Sequence, residues 1–241
     1  MSDNRFEHID GRRDIVLDTT FDRMRPKLKA VVFDLDGTLT DSIGQIIDCT
    51  RATFDFYHLE RPDACAIMST IGLELSEALT SLLPLDMKDR GAEVTRQYRQ
   101  IFMDHKEFWI DKLFDGIEPL LKTLREQKIL IGYASGRSVT GIHRTLDATI
   151  LGDYCDGICG GSEVPSKPDP KMMFLLCQRL NISTENALGV GDSALDIKMY
   201  KNANSFSLGV QSGVYSGDAL LKLDPDMLLP EIGLLNSYFL S

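Results

Sequence analysis

Apolar and polar positions change their period twice along this chain. After a polar, mixed-charge opening stretch, the β-branched run Ala30-Val31-Val32-Phe33 stops at acidic residues and Gly37. A short, fully apolar run with such a stop is the pattern of a buried parallel strand running into a loop. From Ser42 the spacing becomes helical, through Ile43, Ile46, Ile47, Thr50 and Phe54, with Ser42 at the N-cap position. Arg61-Pro62-Asp63 restarts a helix, Ile71-Gly72 interrupts it, and residues 74–83 resume it up to Pro84. Val94, Tyr98, Ile101 and Phe102 then mark one face of a long helix. Residues 43–106 therefore read as an almost purely helical block.

Beyond Gly116 the period alternates. Helical spacing over residues 119–127, 138–146, 170–180 and 194–202 is interleaved with strand-like runs at 129–134, 157–159, 187–190 and 206–210. Strand–helix alternation implies right-handed crossovers and a parallel sheet covered on both faces. The expected fold class is α/β, a Rossmann-like doubly wound parallel sheet core with an inserted all-helical cap domain. The expected organisation is an N-terminal extension over 1–28 (with one apolar patch, Ile15-Val16-Leu17), a core over 29–41 and 113–241, and a cap over 42–112. Ligands of such sheets bind at the carboxyl ends of the strands, where each strand here meets a polar residue.

Composition narrows the partners. The 241 residues are 43% apolar and 26% charged, with 26 Lys+Arg against 36 Asp+Glu and a formal net charge of −10. That acidic balance argues against nucleic acid, which requires a concentrated basic face. Arg12-Arg13 is followed by Asp14, Asp18 and Asp22, which interrupt any apolar signal region, and no apolar stretch is long enough for a bilayer. Five irregularly spaced cysteines, Cys49, Cys65, Cys155, Cys159 and Cys177, form neither a disulfide framework nor a metal set. The chain reads as soluble and cytoplasmic.

Four constellations sit at the strand ends. In Asp34-Leu35-Asp36-Gly37-Thr38, two carboxylates two positions apart project the same way, while the leucine faces the core. Close carboxylates stay ionised together only beside a cation, for which Mg²⁺ is the hard, oxygen-seeking choice, although Asp-Gly is also an ordinary turn signal. Ser135 can donate to a phosphoryl oxygen beside the Gly136 amide, or simply cap a helix. Lys167, in Ser166-Lys167-Pro168-Asp169-Pro170, is either a fixed cation or a solvated surface lysine. Asp192 ends an apolar strand at Gly191, and Asp196 stands one helical turn further on, as a site carboxylate or a helix cap.

Together and in this order, Asp34-Leu35-Asp36-Gly37-Thr38, Ser135, Lys167 and Gly191-Asp192 with Asp196 resemble the four motifs of the haloacid dehalogenase superfamily, over residues 30–235. The resemblance implies that Asp34 attacks phosphorus and that Asp36 exchanges protons with the leaving oxygen and the water. It implies that Ser135 and Lys167 hold the phosphoryl oxygens. It implies Mg²⁺ on Asp34, Asp192 and the Asp36 carbonyl, supported from behind by Asp196. The segment from Ile71 to Leu79 is similar to the specificity loop of phosphoglycolate phosphatases.

The expected activity is a Mg²⁺-dependent phosphatase of a small phosphorylated metabolite, 2-phosphoglycolate-like, working as a monomer or homodimer. The alternatives are a β-phosphoglucomutase-like phosphomutase and a non-catalytic binding protein. Against the mutase, Leu75 stands where that group carries an arginine, leaving Arg51, Arg61 or Lys106 to supply the charge. Ala134-Ser135-Gly136-Arg137 departs from the usual threonine-asparagine of phosphoglycolate phosphatases. Arg137 is either a solvated helix-start arginine or an extra anchor for a substrate anion. The absence of the cap arginine predicts a small polar pocket. Segments 40–42 and 112–116 are the expected hinges.

Overall fold

The computed structural model describes residues 18–105 and 112–240. Six parallel strands form one sheet in the order β3-β2-β1-β4-β5-β6. They are β1 (Ala30–Phe33), β2 (Leu130–Ser135), β3 (Gly157–Gly160), β4 (Ala187–Gly191), β5 (Phe206–Val210) and β6 (Met227–Leu229). Phe33 lies opposite both Tyr133 and Val190, beyond which β2 runs on to Ser135 and β4 to Gly191. The short β6 was not anticipated from the sequence.

Side chains alternate across the sheet, and each set has its own helical cover. Val31 and Phe33 pack with Ile131, Tyr133 and Val190 on one face. That face is covered by α1 (Asp18–Met24), α6 (Ile117–Glu126), α7 (Val139–Ala148) and α11 (Leu235–Leu240). Ala30 and Val32 lie on the other face, beneath α8 (Lys171–Arg179), α9 (Ala194–Asn202) and α10 (Gly217–Leu221). Between β1 and α6 the chain inserts α2 (Ile43–Phe56), α3 (Ala64–Met68), α4 (Leu75–Leu82) and α5 (Gly91–Asp104). This insertion has an apolar cluster of its own, formed by Cys49, Phe54, Leu79, Leu83, Val94 and Tyr98. The two passages into and out of it run side by side: Thr40 bridges Leu113, and the Asp41 amide donates to the Lys112 carbonyl at 2.8 Å.

Two expectations require correction. Residues 18–28 are not an extension apart from the core, because α1 places Phe21 and Met24 in its largest cluster, Phe21 edge-on to Phe239 at 5.1 Å between centroids. Few apolar residues suffice for this docking, so the sequence carries little sign of it. The patch at residues 15–17 and Arg12-Arg13 lie outside the described residues. The Ser42 side chain does not cap α2; its hydroxyl is committed elsewhere, as described below.

With Phe21 only 2% exposed, Phe21→Ala is expected to lower unfolding free energy by about 3–5 kcal/mol, read by denaturant titration. A loss of only about 0.5 kcal/mol, typical of a surface substitution, would show that α1 is dispensable.

Candidate active site

The carboxyl ends of β1 and β4, with the loop after β3, converge on one buried ammonium group. Lys167 Nζ donates to Asp34 Oδ1 and to Asp196 Oδ1, each at 2.6 Å. Lys167 is 1% exposed, so the solvated-surface reading is excluded. Asp192 accepts from the Thr38 hydroxyl at 2.9 Å and from the Val214 amide at 2.7 Å. Asp34, Asp192 and Asp196 bring carboxylate oxygens within 4.8 Å of one another. Asp196 also completes a capping box with Ser193 at the start of α9, so the capping reading holds while the same side chain lies in the cluster. Gly37 has φ +83°, and a Cβ there would stand 2.7 Å from an Asp192 oxygen; the glycine is what admits that carboxylate.

Asp36 does not join this triad. Its carboxylate is held by Arg137 through Nε at 2.9 Å and Nη2 at 2.6 Å, and it accepts from the Ser42 hydroxyl at 2.5 Å. Arg137 is therefore not a solvated helix-start residue but the partner of the second motif carboxylate. Ser42 was missed as a site residue because a serine before a helical pattern reads first as a cap. Ser135 ends β2 instead of following it, and the cap of α7 is Ser138, whose side chain accepts from the Gly141 amide at 3.2 Å. The buried Ser135 hydroxyl accepts the Arg137 amide at 3.2 Å, which leaves its proton to donate. A Cβ on Gly136 would sit 2.3 Å from the Leu73 carbonyl oxygen, so only glycine lets the insertion's loop lie on the second motif.

The electrostatics are those of a site short of positive charge. Burial drives Asp34 well above the usual carboxylate range; Lys167 opposes the shift, while Asp196, Asp192 and Asp36 reinforce it. Burial and the neighbouring Asp196 push Asp192 up to about 7. For Lys167, burial acts downward, but Asp196 and Asp34 outweigh it and keep the ammonium protonated. Three clustered carboxylates thus face one ammonium, a deficit of two charges, and all donors are hard oxygens. This set fits a hard divalent cation. For Asp36, burial would raise the value, yet the charge and hydrogen bonds of Arg137, with the Ser42 hydroxyl, hold it below the ordinary range.

Between the insertion and the sheet edge lies a cavity of about 640 Å³, bordered on the core side by Asp36, Gly136 and Arg137. Its other walls are mainly apolar, which corrects the expectation of a small polar pocket. Of the basic residues considered as substitutes for the missing arginine, Arg61 is paired with Asp55 at 2.8 Å on the surface. Arg51 does not line the cavity, and Lys106 lies outside the described residues.

With this geometry in place, comparison with known proteins gives the class. The family model of haloacid dehalogenase-like hydrolases matches residues 31–210, and the chain belongs to that family. A curated relative from Dickeya dadantii, named probable phosphatase IndB, is 30% identical over 83% of this chain and 88% of its own length. The pyrophosphatase PpaX of Listeria monocytogenes is 28% identical over 87% of this chain and 95% of its own. A crystal structure of a haloacid dehalogenase-like hydrolase from Bacteroides fragilis superposes with a TM-score of 0.79 at 28% identity, covering 86% of this chain and 99% of that one. Among the described residues no helix is long and apolar enough to cross a membrane.

Arg137→Met is expected to leave the Asp36 carboxylate buried without its main partner, costing about 1–3 kcal/mol at neutral pH. Because Arg137 depresses the folded-state value of Asp36, its stabilisation is present above the unfolded carboxylate value and lost as pH falls below it. Wild type and variant should therefore differ most near pH 7 and converge towards about pH 3, read by denaturant titration across pH. A difference independent of pH would mean that the pair is not ionised.

Proposed function

We propose that the protein is a Mg²⁺-dependent phosphoric monoester hydrolase acting on a phosphorylated small molecule, with Asp34 as the nucleophile. The observation that carries this reading is the buried Lys167 shared by Asp34 and Asp196, with Asp192 completing an acidic triad two charges short of neutrality. A binding module gains nothing from such repulsion. Asp34, Asp192 and the Asp36 carbonyl would hold the ion, with Asp196 behind them, and the ion would neutralise phosphoryl charge. Residues 42–112 act as a cap on a core of 29–41 and 113–241, pivoting at the paired passages 40–42 and 112–116.

An Asp34 oxygen forms a bond to phosphorus as the ester oxygen departs and takes a proton from Asp36. A water then gives its proton to Asp36 and attacks phosphorus, and the bond to Asp34 breaks. Ser135 and Lys167 steady the phosphoryl oxygens through both halves. The Arg137 bridge suits Asp36 as the base of the second half; protonating the leaving oxygen requires that bridge to loosen. Leu75 speaks against a mutase, because an apolar side chain cannot compensate the desolvation of a second phosphate.

Phosphate release from a generic monoester should require Mg²⁺ and disappear on chelation. Asp34→Asn should abolish it and form no phosphorylated protein, whereas Asp36→Asn should fold and lose about 10²–10⁴ in turnover. Near-normal turnover of Asp34→Asn would overturn the assignment. Since ligation needs the carboxylates deprotonated and Asp192 lies at about 7, Mg²⁺ affinity should fall by about tenfold per unit as pH drops below that value. A flat affinity between about pH 5.5 and 7.5 would remove Asp192 from the ligand set.

A further inference from the structure

The cavity over Asp36 is the feature that the chemistry above leaves unused. Three observations define it. It borders the proton-donating carboxylate Asp36, not the Asp34–Lys167–Asp192 cluster. The oxygen that leaves phosphorus must take its proton from Asp36, so the body of that group extends into this space. At about 640 Å³, the space lies within the roughly 300–1,000 Å³ that accepts a drug-sized ligand, well beyond what a two-carbon acid fills.

The walls decide what kind of body fits. Ile46, Leu75, Leu79, Leu82, Phe102 and Met103 contribute apolar surface from three helices of the insertion. Arg99 of the insertion and Arg144 of α7 also line it and are partly engaged: Arg99 faces Glu74 at 3.8 Å, and Arg144 stacks on the Phe102 ring at 5.1 Å. The hydroxyls of Thr50, Thr70, Ser138, Thr140 and Ser162 also line the cavity but make up the smaller part of it. A carboxylate or sugar placed against the apolar side chains would lose water there without gaining partners. A hydrocarbon or aryl body would gain from the same transfer.

We propose that the substrate is a phosphate monoester of an apolar alcohol, its phosphate at Asp34 and its hydrocarbon or aryl portion in the cavity lined by Leu75, Leu82, Phe102 and Met103. The assignment rests on the hydrolase reading for the placement of the phosphate, and it replaces the compact 2-phosphoglycolate-like substrate by a class matched to these walls. Arg137, which borders the cavity beside Asp36 and holds its carboxylate, marks the boundary between the polar and apolar halves of the ligand.

The test separates binding from turnover. In the presence of Mg²⁺, n-alkylphosphonates from ethyl to octyl, whose P–C bond is not hydrolysed, are titrated into the full chain by calorimetry. Affinity is expected to rise by roughly three- to fourfold per methylene until the cavity is filled. Met103, 45% exposed near the end of α5, accepts a charge without threatening the fold. Met103→Glu should lower the octyl affinity by more than the ethyl affinity. Equal binding of ethyl and octyl compounds, or an octyl-to-ethyl ratio unmoved by Met103→Glu, would overturn the proposal. Hydrolysis of the matching n-alkyl phosphates is followed in parallel as phosphate release. Hydrolysis of every ester with no preference for length would overturn the proposal and keep the hydrolase reading. Failure to hydrolyse any n-alkyl ester while a generic monoester releases phosphate would overturn the proposal and keep the hydrolase reading; no release from either would overturn the hydrolase reading.

Discussion

The arrangement of the whole sheet edge follows from one requirement: several carboxylates are kept out of water within a few ångströms of one another. An isolated buried carboxylate would take up a proton, and the charge of its neighbours makes the first proton taken up by three together easier still. Lys167 answers part of that demand by donating to two of them at 2.6 Å. For its ammonium to arrive there, the loop after β3 must be rigid and the lysine fully covered, which explains why a chain with 26 basic residues commits one of them to the interior. Asp192 relies on a hydroxyl and an amide instead, neither of which carries a full charge, and it is the group left near neutrality in its titration. The residual deficit is what makes the site receptive to a divalent ion.

Close approach is the second consequence. Gly37 lies against Asp192, and Gly136 lies under the Leu73 carbonyl, each at a distance no side chain would tolerate. One glycine lets the acidic loop close on the fourth motif, and the other lets the insertion rest on the second. The same residues also serve local structure, as with Asp196, which caps α9 while binding Lys167. Capping and ion pairing therefore do not compete here: one Asp196 oxygen accepts from Ser193 and the other from Lys167.

Much of this was legible in the sequence because the period changes sharply. The strands at Ala30–Phe33 and Phe206–Val210 fall where their apolar runs begin and end, and the helical block between β1 and α6 is continuous in its pattern. Asp34, Ser135, Lys167, Asp192 and Asp196 were recognisable as strand-end and loop residues, and the structure brings Asp34, Lys167, Asp192 and Asp196 together. What pattern does not carry is the choice of partner. Ser42 looks like a cap, and Arg137 looks like surface, until Asp36 is found between them. β6 is three residues bounded by Asp226 and Pro230, too short for a period to declare itself. In α1, the docking of Phe21 depends on Phe239 at the far end of the chain.

The cavity is the property furthest from sequence, since it arises where two separately packed bodies meet. Each of its apolar residues has an ordinary helical explanation: Leu79 belongs to the insertion's own core, and Leu75 and Phe102 pack against it. Only their position over Asp36 turns a packing pattern into the wall of a cavity. That placement divides labour within the molecule. On the proposed reading, the sheet edge would supply the charge that any phosphoryl group needs, with motif residues whose chemistry does not depend on the leaving group. The insertion supplies the walls, and these meet the motifs at Asp36, Gly136 and Arg137. Changes in α2, α4 and α5 can therefore alter what is bound without disturbing Lys167 and its carboxylates, whereas a change at Arg137 acts on both sides at once.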